Sequence, residues 1–183
     1  MVSLLDLWLP ILLSAVLVFL ASSVIHMALR WHASDFKKLT AEDAVMDALR
    51  PFNLEPGDYA APLPESMAHM SSPEFKAKQA RGPLFTLTVL SGDSMGRNLA
   101  KWFVYCIVVS VFAAYVAALV LPAGAAYMTV FRLTSTVTFV GYALAVWQSW
   151  IWYSRSLGAT VRTTIDGLVY ALLTGGAFAW LWP

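Results

Sequence analysis

The chain has 183 residues, of which 59% are hydrophobic and only 13% are charged, so it is far more apolar than a soluble globular domain of this length. Its formal net charge of +1 argues against nucleic-acid binding, which needs a broad basic surface. A single cysteine, Cys106, excludes a disulfide framework or a cysteine metal cluster within one chain. The composition predicts one membrane domain over residues 1–183, with the lipid bilayer as its surroundings.

Four long apolar runs predict four transmembrane helices. The runs lie at about residues 4–29, 99–121, 126–152 and 163–182, and each can cross a hydrocarbon core of roughly 30 Å. Tryptophan and tyrosine side chains flank the runs, as is typical of the interface between lipid and water. The N-terminus lacks the basic stretch and small-residue cleavage site of a secretory signal, so we expect the first run to remain as a span.

Basic residues between the runs predict the orientation of the helices. Lys and Arg near the ends of membrane spans concentrate on the cytoplasmic side. We therefore expect the segment 30–98 and the connection between the third and fourth spans to be cytoplasmic, with both termini periplasmic, in a bacterial inner membrane. The residues that carry this bias are Arg30, Lys37, Lys38, Arg97, Lys101, Arg155 and Arg162.

The segment 30–98 contains too many apolar side chains for a disordered tail, so we expect an ordered cytoplasmic loop. Thr40 and Asp43 resemble the capping box of a first short helix. Ser72 has the position of an N-terminal cap before a second one. Residues 84–90 alternate apolar and polar side chains, which predicts an extended segment that lies along the membrane or pairs within the loop. The predicted fold is an all-α membrane protein with four transmembrane helices and an ordered cytoplasmic loop containing two short helices.

Residues 92–96 match the G-x-S-x-G pattern of a hydrolase nucleophile elbow centred on Ser94. In such hydrolases the histidine base follows the serine, whereas His26, His32 and His69 all precede Ser94. The helix expected after Ser94 is also a membrane span rather than one layer of an α/β fold. We therefore interpret the pattern as a turn and helix cap, and a membrane-embedded enzyme is the third hypothesis for function.

Three ionisable residues, Arg132, Arg162 and Asp166, are the candidate intramembrane polar residues. Ionisable side chains are costly inside a bilayer and often mark a functional site. Arg132 and Asp166 are expected to lie roughly 15–20 Å apart along the membrane normal. Asp166 is therefore expected to pair with Arg162, one helical turn before it, with Arg155 or Lys101 as competing partners. A small transporter or channel that uses Asp166 and Arg162 near the cytoplasmic side is the alternative hypothesis for function.

Histidines and methionines supply further candidates for ligand binding. His26 and His32 lie close together at the end of the first span and could ligate a haem iron, although polar residues at the headgroup level are the simpler interpretation. Met67, His69 and Met70 are soft ligands that could hold Cu(I), although methionines there also suit helix packing. No cofactor or metal is clearly implied by these residues.

Small side chains recur along the second, third and fourth predicted spans, where they permit close helix packing. Gly141 in the third span and Gly167, Gly175 and Gly176 in the fourth are examples. Threonines and serines of the third span are expected to add hydrogen bonds between helices. We expect these faces to pack within one chain rather than against another subunit.

Four segments, residues 31–35, 42–52, 94–103 and 166–182, resemble a group of small four-span bacterial inner-membrane proteins with no assigned activity. The resemblance covers nearly the whole chain and implies the topology and the bacterial setting. It transfers no functional residue.

The absence of an evident catalytic motif favours a non-catalytic protein. The first hypothesis for function is an accessory or scaffold subunit of a larger inner-membrane complex, such as an energy-transducing one. The expected partners are other membrane subunits or copies of the same chain.

Overall fold

The structure, a computed structural model, describes residues 2–183. It is 69% helical and divides into two compact units. The first, here called the helical unit, contains the residues up to Lys37 together with Met95–Pro183. The second, the loop unit, contains Lys38–Ser94.

The elements follow one another as helices in the helical unit and as mixed helices and strands in the loop unit. In chain order they are α1 (Trp8–Ser23), α2 (Glu42–Leu49), β1 (Gly57–Ala61), α3 (Met67–Met70), α4 (Pro73–Arg81), β2 (Phe85–Val89), α5 (Met95–Val120), α6 (Tyr127–Ala143), α7 (Trp147–Tyr153) and α8 (Leu157–Trp180). Tighter or wider helical turns extend some of them. These are the 3-10 turn Leu4–Leu7 before α1, the π-helical turn Val24–Ala28 after it, the 3-10 turn Arg50–Phe52 after α2, and the 3-10 turn Leu144–Val146 between α6 and α7.

Three helical stretches of the described chain are long and apolar enough to cross a membrane: Leu4–Ala28, Met95–Val120 and Tyr127–Tyr153. They correspond to the first three predicted spans, and the second begins at Met95 rather than at about residue 99. The predicted fourth span falls within α8, a helix of 24 residues. Polar side chains such as Thr163 and Asp166 lower the hydropathy of α8, and its crossing of the membrane remains a prediction.

Four helices of the helical unit pack in a ring. α1 and α6 each contact both α5 and α8. Buried apolar side chains between these helices form two clusters, one including Leu7, Ala114, Val130 and Phe178, the other Ala15, Val18, Cys106 and Tyr170. The ring places the first turns of α8 beside the end of α1, where the polar residues described below meet.

α6 and α8 approach each other closely because glycines face the partner helix. A methyl group at Gly167 would lie 2.8 Å from Cβ of Ala143, and one at Gly175 would collide with Oγ of Ser135. The expected role of these two glycines in close packing is confirmed. Gly176 differs, because a methyl group there would meet nothing within 4 Å.

Hydrogen bonds between helices come from residues other than those expected. The hydroxyls of Thr134, Thr136 and Thr138 donate to carbonyl oxygens of their own helix, so the expected interhelical role of these threonines is wrong. Threonine can satisfy its hydroxyl on the preceding helical turn. The bonds that do join helices are Ser14 Oγ to Ser110 Oγ at 2.9 Å, Trp102 Nε1 to Ser22 Oγ at 2.8 Å, and the Tyr105 hydroxyl to the Gly141 carbonyl at 2.7 Å.

The loop unit combines short helices with a two-stranded sheet. α2 begins after Ala41 without a side-chain cap, so the capping box expected from Thr40 and Asp43 is wrong. The expected cap at Ser72 is confirmed, since its Oγ accepts a hydrogen bond from the Phe75 amide at 3.1 Å. β2 pairs antiparallel with β1, which resolves the open question about the extended segment.

Candidate functional site

Five polar residues meet where α1 ends and α8 begins: His26, His32, Asp35, Arg162 and Asp166. We call them the His32 network. His26 lies in the π-helical turn after α1, and His32 and Asp35 lie in the turns that follow. Arg162 and Asp166 are four residues apart on α8 and therefore share one face of that helix.

The backbone after α1 folds back tightly, and this brings His32 towards α8. The π-helical turn closes with a hydrogen bond from the Leu29 amide to the Val24 carbonyl, and Arg30 then takes a left-handed conformation with φ of 49°. A second turn places the Asp35 amide 3.0 Å from the His32 carbonyl. Wide turns of this kind in helices are frequent at functional sites.

The imidazole of His32 lies between two carboxylates. Nδ1 is 2.5 Å from Oδ2 of Asp35, and Nε2 is 2.6 Å from Oδ2 of Asp166. A neutral imidazole has a single N–H, so it can donate to one carboxylate but presents only a lone pair to the other. With Nδ1 donating to Asp35, the 2.6 Å contact between Nε2 and Asp166 requires a shared proton, because two lone pairs would otherwise face each other.

Arg162 anchors Asp35 rather than Asp166. Its Nε and Nη2 atoms donate to Oδ1 of Asp35 at 2.8 and 2.5 Å. Burial raises the pKa of Asp35, but the hydrogen bonds from His32 and Arg162 outweigh this effect and leave the pKa below its ordinary value. Asp35 is therefore held as a carboxylate in a fixed orientation.

The expected pairing of Asp166 with Arg162 is wrong. The four-residue spacing along α8 would allow this pair. In the structure, however, Asp166 contacts His32 and Arg162 contacts Asp35, and both partners come from the turns after α1. His32 and Asp166 are 134 positions apart, so their contact depends on tertiary packing. Side-chain exposure is 16% for His32 and 6% for Asp166, which keeps solvent from weakening the contact.

His26 is the exposed member of the His32 network. Its ring stacks on that of His32, with centroids 4.4 Å apart and planes inclined by 23°. One potential ligand atom from each of His26, His32 and Asp166 lies within 4.8 Å of the other two. The structure thus brings the two predicted histidines together, although side by side rather than on opposite faces of a haem iron.

Two cavities border the network. One of about 230 Å³ is lined by Asp35 together with polar residues that include Ser149, Arg155 and Thr163. The other, of about 420 Å³, is lined by His26 and by mostly apolar side chains that include Met27 and Leu99. A small ion can therefore approach the network from the Asp35 side through a partly polar space.

Buried hydroxyl groups continue from the network into the bundle. In the described part of the chain, Tyr142 Oη, Tyr170 Oη and Ser135 Oγ are buried and have no hydrogen-bond partner. Tyr170 follows Asp166 by one turn of α8, and its ring contacts that of Tyr142 with centroids 5.5 Å apart. Buried polar groups of this kind are commonly satisfied by internal water.

The predicted copper ligands lie in the loop unit, on and around the four-residue helix α3. Nδ1 of His69 accepts a hydrogen bond from the Glu65 amide at 3.2 Å, and the ring contacts Phe75 edge-on. The side chain of Met67 is 78% exposed. His69 thus has a structural role in the loop unit, with one of its two nitrogens already engaged.

The other predicted residues lie apart from the network's contacts. Arg132 is an exposed residue of α6, while Asp166 contacts His32, in keeping with the expectation that these two do not pair. Ser94 directly precedes α5, and both ring nitrogens of His32 face carboxylates rather than a serine.

Asp35 is the residue of the network that the sequence analysis missed. It follows His32 by three residues in a polar turn directly after a span, and this spacing is the signal that could have identified it. A carboxylate beside a histidine at such a position can orient the imidazole.

Comparison with protein-family models, with curated proteins and with solved structures finds no match to this chain. The resemblance to small four-span bacterial inner-membrane proteins therefore stays an expectation.

Proposed function

We propose that the chain is a small membrane transporter or channel for a cation, with the space between His32 and Asp166 as its binding position. The observation that supports this is the 2.6 Å contact between Nε2 of His32 and Oδ2 of Asp166, which requires a proton between the two atoms and so marks a position that attracts a cation. Asp166 is 4% exposed, and an ionisable residue inside a membrane helix costs about 2.5–3.5 kcal/mol on insertion scales. A residue so costly to bury usually serves a function.

The surroundings of the His32 network are consistent with a pathway for a cation. The cavity beside Asp35 offers an entry, and the hydroxyls of Tyr170 and Tyr142 lead away from Asp166 into the bundle. Water molecules can bridge hydroxyls that lack a protein partner. We therefore assign entry of the cation to the Asp35 side and its passage to the neighbourhood of these two hydroxyl groups.

We further propose that α8 is the fourth span, that both termini are periplasmic and that the loop unit is cytoplasmic in a bacterial inner membrane. Support comes from the basic residues that flank the spans and from the packing of α8 against α1 and α6. A Glu55→Cys variant in intact cells should not react with a membrane-impermeant thiol reagent added from the periplasm. Since Cys106 is buried, it should contribute little background. Labelling at position 55 would show that the loop unit faces the periplasm and would contradict the proposed orientation.

Ion flux into proteoliposomes tests the transport proposal. Vesicles of the purified full-length chain would contain either a proton-sensitive or a zinc-sensitive dye, and the wild type should show flux above empty vesicles. Asp166→Asn removes the charge that holds the cation, so it should abolish the flux. Asp47→Asn is a matched control, because Asp47 is an exposed acid paired with Arg50 in the loop unit.

Two outcomes would contradict the transport proposal. One is a wild type that conducts neither ion above empty vesicles. The other is an equal loss of flux in Asp166→Asn and Asp47→Asn when both variants reconstitute as efficiently as the wild type.

A second candidate function is supported by the loop unit. We propose, as the alternative, a non-catalytic accessory or scaffold subunit whose loop unit docks on another membrane subunit. Within the loop unit Phe75 is the one described side chain that is buried, while Phe52, Leu63 and Met67 are each at least 70% exposed. Purification in mild detergent followed by native mass spectrometry should then find a stoichiometric foreign subunit. An isolated chain or a simple homo-oligomer would contradict this alternative.

A further inference from the structure

We infer that His26, His32 and Asp166 form a binding site for a divalent first-row metal ion of the zinc class. This inference rests on the proposed function, since it names the cation that would be transported. Imidazole nitrogens and a carboxylate oxygen are the ligands that such ions take, whereas magnesium and calcium prefer oxygen alone. The ligand atoms of the three residues already lie within 4.8 Å of one another.

The residues around these ligands have the arrangement that supports metal sites elsewhere. A metal-binding histidine usually donates its other ring N–H to a carboxylate, which fixes the tautomer and the ring orientation. Asp35 stands in that position, 2.5 Å from Nδ1 of His32, and leaves Nε2 as the ligand atom. Arg162 in turn fixes Asp35 through two hydrogen bonds.

The metal would enter between Nε2 of His32 and Oδ2 of Asp166. Bond lengths of about 2.0–2.2 Å to nitrogen and oxygen require these two atoms to separate beyond their present 2.6 Å. His26 must also turn from its stacked position to direct a nitrogen at the ion, and its exposure on the surface of the unit leaves it room to do so. Building the site therefore calls for a wider separation of Nε2 from Oδ2 and a rotation of His26.

Three protein ligands leave one coordination position open. Structural zinc sites are closed by four protein ligands, whereas sites with an open position exchange water or substrate. The cavity of about 420 Å³ that His26 lines gives an ion access to this ligand, which suits an ion that enters and leaves. The site is therefore inferred to be a transient one that exchanges its ion.

Metal titration of the purified full-length chain in mild detergent tests the site. Isothermal titration with Zn²⁺ should give one equivalent per chain, and Co²⁺ should give the visible absorption of a low-symmetry site with nitrogen ligands. His32→Gln should lose both signals. His69→Gln is the matched control, because it removes the histidine of the loop unit and should keep both signals.

Asp35→Asn keeps the side-chain volume and removes the charge that orients His32 and that Arg162 holds in place. It should weaken Zn²⁺ binding by about 10- to 100-fold, the range measured when a supporting carboxylate is lost. If His32→Gln does not fold, Zn²⁺ binding by Asp35→Asn tests the metal site in its place. Size-exclusion chromatography and circular dichroism would show whether each variant retains the native fold.

The metal site would be overturned by a wild type that binds no Zn²⁺, or by folded His32→Gln and Asp35→Asn variants that bind it as tightly as the wild type. These results are separable from the flux experiment. Zn²⁺ binding without flux contradicts transport and leaves the metal site standing. Proton flux without Zn²⁺ binding contradicts the metal site and leaves transport standing.

Discussion

The helical unit and the loop unit are stabilised in different ways. In the helical unit, small and polar residues such as Ala113, Ser110 and Thr134 are fully buried, and helices touch through glycines. In the loop unit a single described side chain, Phe75, is buried, and the rest of the unit depends on a two-stranded sheet and helix caps. Many close contacts thus stabilise the helical unit, whereas the loop unit has one buried aromatic side chain.

This difference follows from the surroundings expected for each unit. In lipid, helices gain little from burying large apolar side chains, so close packing of small residues and hydrogen bonds between helices hold the bundle together. In water, burial of apolar surface is the main source of stability, at roughly 25 cal/mol per Å². The loop unit leaves much apolar surface uncovered, as the docking alternative requires.

Phe75→Ala should have the largest effect and should be confined to the loop unit. Truncation of a buried phenylalanine usually costs about 3–5 kcal/mol, and Phe75 is 2% exposed. Amide hydrogen exchange should therefore become fast in α4 and in α3, whose His69 contacts the Phe75 ring, while α5 and α6 stay protected. The control is Phe85→Ala, because Phe85 is 48% exposed and should cost much less. Equal exchange in the two variants would show that the loop unit does not depend on Phe75.

Gly175→Ala should destabilise the contact between α6 and α8. The added methyl group collides with Oγ of Ser135 and lies 3.0 Å from the Phe131 carbonyl, and such overpacking typically costs about 1–3 kcal/mol. Gly176→Ala should be neutral or stabilising, since nothing lies within 4 Å of the new methyl group and alanine favours a helix more than glycine does. The midpoint of thermal unfolding in detergent should be compared between the two variants. Both replace glycine by alanine in the same helix, so the change in helix propensity is common to them and the difference reports the packing. A Gly176 variant as unstable as the Gly175 variant would contradict the packing described.

Ser14→Ala should have the smallest effect. It removes the 2.9 Å hydrogen bond to Ser110 that joins α1 to α5, and such bonds between membrane helices contribute about 0.6 kcal/mol on average. The control is Ser23→Ala, since the hydroxyl of Ser23 donates within its own helix to the Phe19 carbonyl. A double-mutant cycle with Ser110→Ala would isolate the bond between helices. No coupling between Ser14 and Ser110 would show that the bond contributes nothing.

The sequence predicted the long helices well because each depends on a local property. Apolar runs of sufficient length identified three stretches, and the cap at Ser72 identified the start of α4. The pairing of β2 could not be predicted, because β1 contains Gly57, Ala60 and Ala61, which have little intrinsic preference for strands. Short strands of that kind form only when a partner is available.

The candidate site was predicted in part. His26, His32, Arg162 and Asp166 were all recognised as unusual polar residues, and the two histidines were expected to lie close together. Asp166 was assigned first to Arg162 on its own helix, with Arg155 or Lys101 as competitors, and not to His32. The reason is geometric, because contacts at four-residue spacing can be read from a helix whereas those across 134 positions cannot.

By itself, the sequence determined where long apolar helices form and which polar residues lie near their ends, because length and hydropathy are properties of a continuous segment. Only the tertiary structure decided that Arg162 binds Asp35, that Asp166 binds His32 and that His26 stacks beside them. The tight turn after α1 and the packing of α1 against α8 bring these residues together. Neither feature leaves a periodic pattern in the chain.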